Sequence, residues 1–306
     1  MIIRIGTRAS QLALTQTKWV MNRILDQHAD VKVELIKIIT KGDRIVDKPL
    51  SSIGGKGLFV KEIEEAMIRK EIDVAVHSLK DVPAELPEDL FIGIIPERED
   101  PHDVLISKNN TPLKDLPKGS SIGTSSLRRS SQLLNYRPDL KIVPLRGNLD
   151  TRLRKLETTD IDGIILAAAG LKRLGLANKI TESLPFDLML PAVAQGSLGL
   201  ELRRNDEHTR DILRFLDHYP ARLTTEAERS FLARLEGGCQ VPIAGFAEFN
   251  NDTISMKGLV ADIDGSVILR EKINGPPEQA VELGKILAEK LLDKGAKKIL
   301  DNIYCR

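Results

Sequence analysis

The sequence predicts an α/β protein made of two related sheet-and-helix units followed by a small α+β domain. Three observations carry this expectation. Over the first two-thirds, short β-branched runs alternate with segments of helical periodicity. "IGTRASQLAL" near the start is echoed by "IGTSSLRRSSQLL" at Ile122, each placing Ile-Gly-Thr before a hydroxyl-rich helix start. The last third changes to a hairpin pattern followed by an amphipathic helix.

Taken in order, "IIRIGT" reads as a strand and about Ser10 to His28 as a helix. Its expected apolar stripe is Ala13, Leu14, Val20, Met21, Ile24 and Leu25. "VKVELIKII" reads as a strand, "GLFVKEIEEAMIRKE" as a helix, and "DVAVH" as an apolar strand entering "SLKDVP". A second unit begins near Pro96 to Leu105, after the charged "EREDPHD" run. It proceeds through "SSIGT", a helix to about Tyr136, the strand "KIVPL", the helix "NLDTRLRKLE" and the strand "GIILAAAG". From "PAVAQGSLGLELRRND" the chain returns toward the first unit, with helices expected over Asp206 to Leu216 and Thr224 to Leu235. "TISMKGLVADIDGSVILREKI" is a hairpin with Asp264-Gly265 in the turn. A final helix follows, started by Pro276 or Pro277, with Ala280, Leu283, Leu287 and Leu291 on one face. The expected domains are 1–95 with 196–218, then 96–195, then 219–306.

Composition narrows the function. A 306-residue chain that is 42% hydrophobic and 29% charged, with a formal net charge of +1, has no overall field that would recruit nucleic acid or an anionic membrane. Arg8 and the polar run after it interrupt any signal-peptide core, and no apolar stretch approaches the roughly 20 residues that span a bilayer. Cys239 and Cys305 make no disulfide framework, so a reducing cytoplasm is expected. None of the five histidines stands at zinc-ligand spacing from either cysteine, and no metal is expected.

Basic and hydroxyl side chains stand where an anion would use them. Arg8 and Ser10 lie where the first strand hands over to its helix. Thr124, Ser125 and Ser126 occupy the equivalent turn of the second unit, ahead of Arg128 and Arg129. Unpaired backbone N–H groups at such helix starts, joined by hydroxyls and guanidiniums, form a receptor for carboxylate or phosphate. N-capping serines and a solvated arginine face satisfy the same pattern. Lys56, Lys80, Arg146, Arg152 and Arg173 also fall at or near element ends, from which they can converge on a cleft. Asp81 follows Lys80 at the end of an apolar strand and precedes Val82-Pro83. It is either a structural partner of nearby cations or a carboxylate that stabilises positive charge on a substrate. His77 reads as a polar strand residue. Cys239, in "LEGGCQVPIAG", has flexible glycines before it and a proline after it, which suits an inert turn residue or a reactive thiol.

Eight blocks, in order, resemble the porphobilinogen deaminase family: "RIGTRASQLAL", "GGKGLFVKEIE", "DVAVHSLKDVP", "IGTSSLRRSSQL", "LRGNLDTRLRKL", "IILAAAGLKRL", "PAVAQGSLGLE" and "EGGCQVPIAG". The resemblance runs from Arg4 to about Gly245 and thins beyond. It implies two α/β domains like those of periplasmic binding proteins with a cleft between them, and a third α+β domain. It implies a dipyrromethane cofactor joined through a thioether to Cys239. The implied reaction condenses four porphobilinogen molecules head to tail on that primer, releases four ammonia molecules, and hydrolyses off hydroxymethylbilane.

By motif matching, the resemblance makes Asp81 the catalytic carboxylate, stabilising charge on the pyrrole nitrogen as ammonia leaves and an azafulvene forms. It makes Arg8, Ser10, Lys80, Ser126, Arg128, Arg129, Arg146, Arg152 and Arg173 the groups that hold the acetate and propionate carboxylates of cofactor and growing oligopyrrole. Lys56, Phe59, Ser78, Thr124 and Gln195 have supporting places, Gln195 at the hinge or against the oligopyrrole. Ser52 stands where some relatives carry a basic residue and is not expected in the site. Pro96, "EREDPHD" and Ala192 to Gly199 are hinge candidates, and a monomer is expected. A noncatalytic carboxylate-binding module would account for the doubled helix starts but not for Cys239. Nucleic-acid binding through "SSLRRSSQ" has little support at 4% aromatic content.

Overall fold

Among the described residues, two five-stranded sheets share one strand plan. In the first, β1 (Ile2–Arg8) pairs in parallel with β2 (Lys32–Ile38) on one side and β3 (Val74–Ser78) on the other. The strand β10 (Leu198–Arg203) lies antiparallel between β3 and β4 (Leu90–Ile94), giving the order β2-β1-β3-β10-β4. In the second, β6 (Ser121–Gly123) pairs in parallel with β7 (Lys141–Val143) and β8 (Gly163–Ala167). The strand β5 (Asp103–Ser107) lies antiparallel between β8 and β9 (Glu182–Ser183), giving β7-β6-β8-β5-β9. The repeated Ile-Gly-Thr therefore marks the same central parallel strand in each sheet.

The computed structural model describes residues 1–44, 60–236 and 241–304. They form two compact units, Met1–Glu99 with Ser197–Arg222, and Asp100–Gly196 with Leu223–Arg306. The antiparallel strands β5 and β10 are the first strands laid down after the chain passes from one unit to the other.

In the first unit, Ile3, Ile5, Val74, Val76, Leu200 and Leu202 pack on one sheet face against Val20 and Ile24 of the helix Gln11–Gln27. The other face packs Ala75 against Ile63 and Met67 of the helix Lys61–Ile68. Each of these large aliphatic side chains contributes about 1.5–3 kcal/mol by leaving water. The stripe of the first helix is rotated from the predicted one. Leu25 is 43% exposed, while polar Gln16 and Thr17 are buried. Their burial is tolerated because Gln16 bonds Ser78 and Thr17 donates to the Ala13 carbonyl.

The second unit packs the two faces of its sheet in the same way, one around Val104, Ile164 and Leu166, the other around Leu105, Ile122 and Ile165. Its C-terminal part is an antiparallel meander of β11 (Ile243–Asn250), β12 (Thr253–Ala261) and β13 (Ile268–Gly275). Sequence reading assigned β12 and β13 as the hairpin and left β11 unassigned. The helix Ala280–Asp293 buries Ala280, Leu283, Leu287 and Leu291. The helix Tyr219–Arg234 begins earlier than expected, with Pro220 in its first turn, where a missing N–H costs nothing. Its Phe231 is fully buried, and a Cβ at Gly258 would lie 2.8 Å from the ring, so only glycine lets strand and ring approach.

Candidate active site

The sheet edge of the first unit gathers five of the expected residues. The strand β3 runs buried to His77, and Ser78, half-buried, leads into the short 3-10 turn Leu79–Asp81. Buried Leu79 and Val82 pin this turn on both sides, and the Leu79 N–H donates to the Ser197 carbonyl at 3.0 Å. Lys80 is half-buried and Asp81 is exposed. Arg8 ends β1, the parallel neighbour of β3, so both strands deliver their polar residues at carboxyl ends, where open α/β sheets bind ligands. Ser10 caps its helix, accepting the Ala13 N–H at 3.3 Å. Ser78 is held by Gln16 through a 2.9 Å bond.

Beneath the turn, His77 Nε2 and Glu201 Oε2 lie 2.8 Å apart, both side chains buried. Glu64, on the helix Lys61–Ile68, is pushed up to about 7 by burial and by the charge of Glu201, with His77 opposing.

In the second unit the Thr124–Ser126 turn is tied down by its own hydroxyls. Thr124 Oγ1 accepts the Ser126 N–H at 3.2 Å, and Ser125 Oγ donates to the Leu145 carbonyl at 3.0 Å. Ser126 stands at the N-cap of the helix Leu127–Tyr136 but makes no side-chain cap bond. Arg128 and Arg129 are 5% and 6% exposed, which overturns the solvated-face alternative. Both guanidiniums converge on fully buried Asp103. Arg128 Nη1 reaches Oδ2 at 2.6 Å, and Arg129 Nε and Nη2 reach Oδ1 at 2.9 and 2.6 Å. Burial alone would raise the Asp103 pKa, but the two arginine charges outweigh it and hold the carboxyl well below the usual range. Gln195 completes the cluster, donating to Asp103 Oδ1 at 3.0 Å and to the Pro101 carbonyl at 2.8 Å.

Arg146 and Arg152 flank the loop into the helix Leu149–Thr158, which Asn148 caps. Arg152 Nε donates to the Gly147 carbonyl at 2.9 Å, and Gly147 has φ +112°. Arg173, ending the helix Ala168–Arg173, donates to the Gly196 carbonyl at 2.7 Å. Lys56, Phe59 and Cys239, with Ser52 and Cys305, lie outside the described residues.

Sequence reasoning missed Asp103, Glu201, Gln16 and Glu228. For Glu201 and Asp103 the signal was an acid in an apolar strand, in "LGLELR" and "DVLIS". Glu228, fully buried, accepts backbone N–H bonds from Ala194 at 2.6 Å and Ala247 at 2.8 Å. Among the described residues, no cluster of three or more His, Cys, Asp or Glu groups could hold a metal ion. No described helix is long and apolar enough to cross a membrane.

The family model described as "Porphobilinogen deaminase, dipyromethane cofactor binding domain" matches residues 3–211, and that of the "Porphobilinogen deaminase, C-terminal domain" matches 222–293. The porphobilinogen deaminase of Geobacter metallireducens is 52% identical over 304 residues, covering 99% of this chain and 95% of that one. The chain belongs to the porphobilinogen deaminase family. The porphobilinogen deaminase of Geobacter sulfurreducens is 53% identical over 304 residues, with the same coverage. That of Carboxydothermus hydrogenoformans is 51% identical over 299 residues, covering 98% and 96%. The L-cystine solute receptor of Neisseria gonorrhoeae, a solved structure, aligns at TM-score 0.39 and 16% identity, covering 70% of this chain and 84% of that one. As a porphobilinogen deaminase, the protein is a transferase of porphyrin biosynthesis with a dipyrromethane cofactor binding domain.

Proposed function

We propose that this porphobilinogen deaminase condenses four porphobilinogen molecules head to tail on a dipyrromethane primer held by a thioether at Cys239, and releases hydroxymethylbilane by hydrolysis. The observation that carries the reading is the pinned turn that presents Asp81 beside Lys80 at the carboxyl end of β3.

The donor set fits a ligand bearing acetate and propionate groups. In the second unit two buried guanidiniums share one carboxylate, so one positive charge is left uncompensated among the groups bonded there. A ligand carboxylate answers that charge, and arginine can hold it through paired hydrogen bonds. Ser126, whose hydroxyl makes no cap bond, stands at the same helix start with its amide donors. Arg8, Ser10 and Lys80 do the equivalent work in the first unit, and Arg146, Arg152 and Arg173 add charge from the second. Gln195 orients Asp103, and so acts on the ligand through the arginines.

When bound, the dipyrromethane supplies the electron-rich pyrrole carbon to which the first substrate is joined. Asp81 offsets the positive charge that develops on the substrate pyrrole nitrogen as ammonia departs. Being exposed at the end of a pinned turn, its carboxylate reaches a ligand without reorganising the backbone.

The test is Asp81→Asn. The amide keeps the shape but not the charge, so the variant should fold and lose most turnover, by about 10²-fold or more if the electrostatic contribution resembles that of other charge-stabilising groups. Normal turnover by Asp81→Asn refutes the assignment.

A further inference from the structure

The Asp81 turn and the strand that leads into it are tied to the return strand β10 and the residue before it. Leu79 N–H donates to the Ser197 carbonyl, and two residues upstream His77 meets Glu201 at 2.8 Å across the β3–β10 ladder. Glu201 is fully buried, and its second oxygen, Oε1, has no hydrogen-bond partner among the described residues. A buried carboxylate with one oxygen unmet is costly to keep, and an aliphatic residue there would suit a strand otherwise reading Leu-Gly-Leu.

We propose that Glu201, acting through His77, is a positioning residue for the Asp81 turn. The inference rests on Asp81 carrying the reaction. The groups facing the pair are few. The helix Lys61–Ile68 offers Glu64, with Glu65 behind it. On the sheet, Arg4 and Arg203 are both bonded to Asp73, Arg8 ends β1, and β4 contributes only apolar residues and a glycine. His77 is therefore the basic group in hydrogen-bond contact with Glu201. The contact draws β3 and β10 together one residue before Ser78, which fixes where the turn leaves the sheet.

The experiment compares wild type, Glu201→Gln, His77→Gln and His77→Leu as holoenzymes, each checked for folding and for cofactor by intact mass. It measures kcat and KM for porphobilinogen. Glu201→Gln should lower kcat about tenfold or more with KM changed less than about twofold, as expected for a misplaced reacting group. His77→Gln keeps a donor for Glu201, so it should retain much of the wild-type kcat, whereas His77→Leu should lose it as Glu201→Gln does. Wild-type kcat in folded Glu201→Gln overturns the proposal, as does a loss that tracks only the unfolded fraction. If Glu201→Gln does not fold, wild-type kcat in folded His77→Leu overturns it. Wild type without dipyrromethane, or normal turnover in Asp81→Asn, sinks the proposed function instead, and with it any catalytic meaning of the pair.

Discussion

Arg128 Nη1 and Asp103 Oδ2 meet at 2.6 Å with both side chains buried, and Arg129 binds the other oxygen of the same carboxylate. Removing that carboxylate leaves two guanidiniums buried against each other. Asp103→Asn should therefore cost about 3–5 kcal/mol of stability, read by chemical denaturation. The native carboxyl is held below its ordinary pKa, so its contribution is complete above that ordinary value and fades only as pH falls toward the depressed one. The cost of the substitution should thus be flat across neutral pH.

Glu64 behaves in the opposite sense. Its native pKa of about 7 lies above the ordinary value of 4.5, so its contribution to stability is full below 4.5 and is lost as pH rises through 7. Glu64→Gln removes this penalty. The variant should gain about 1 kcal/mol over wild type at alkaline pH and nothing at acid pH, a figure already reduced for a half-exposed group. Denaturation midpoints on both sides of neutrality check it.

Ser10 and Ser126 occupy matching turns but do different work. Ser10 caps its helix, so Ser10→Ala should lower stability by about 1 kcal/mol. Ser126 makes no cap bond, so Ser126→Ala should leave the melting temperature nearly unchanged and raise KM for porphobilinogen. Thermal melts beside steady-state kinetics separate the two.

Gly147 has φ +112°, and a Cβ there would lie 2.6 Å from Thr151 Cγ2. Gly147→Ala should destabilise by about 1 kcal/mol or more and displace the loop that carries Arg146, weakening substrate binding. Paired denaturation and KM measurements test both effects.

Much of the fold was legible because it follows from local pattern. The parallel strands, the doubled Ile-Gly-Thr and the face of the helix Ala280–Asp293 each follow from spacing within a few residues. What escaped depends on partners distant in sequence. The burial of Arg128 cannot be foreseen without Asp103, 25 residues upstream, and His77 reads as an ordinary polar strand residue until Glu201 arrives 124 residues later. The first helix hid a similar fact, since Gln16 looks solvent-facing until Ser78 is beside it. In the candidate site, the turn carrying Lys80 and Asp81 was visible as a strand end before Val-Pro, whereas the ties that pin it were not.

The most direct test of the account is the intact mass of the purified protein, followed by mapping of the peptide that contains Cys239. The account predicts a mass increment of two linked pyrrole units on that peptide, absent from Cys239→Ser. An active wild-type protein with an unmodified thiol at Cys239 contradicts it.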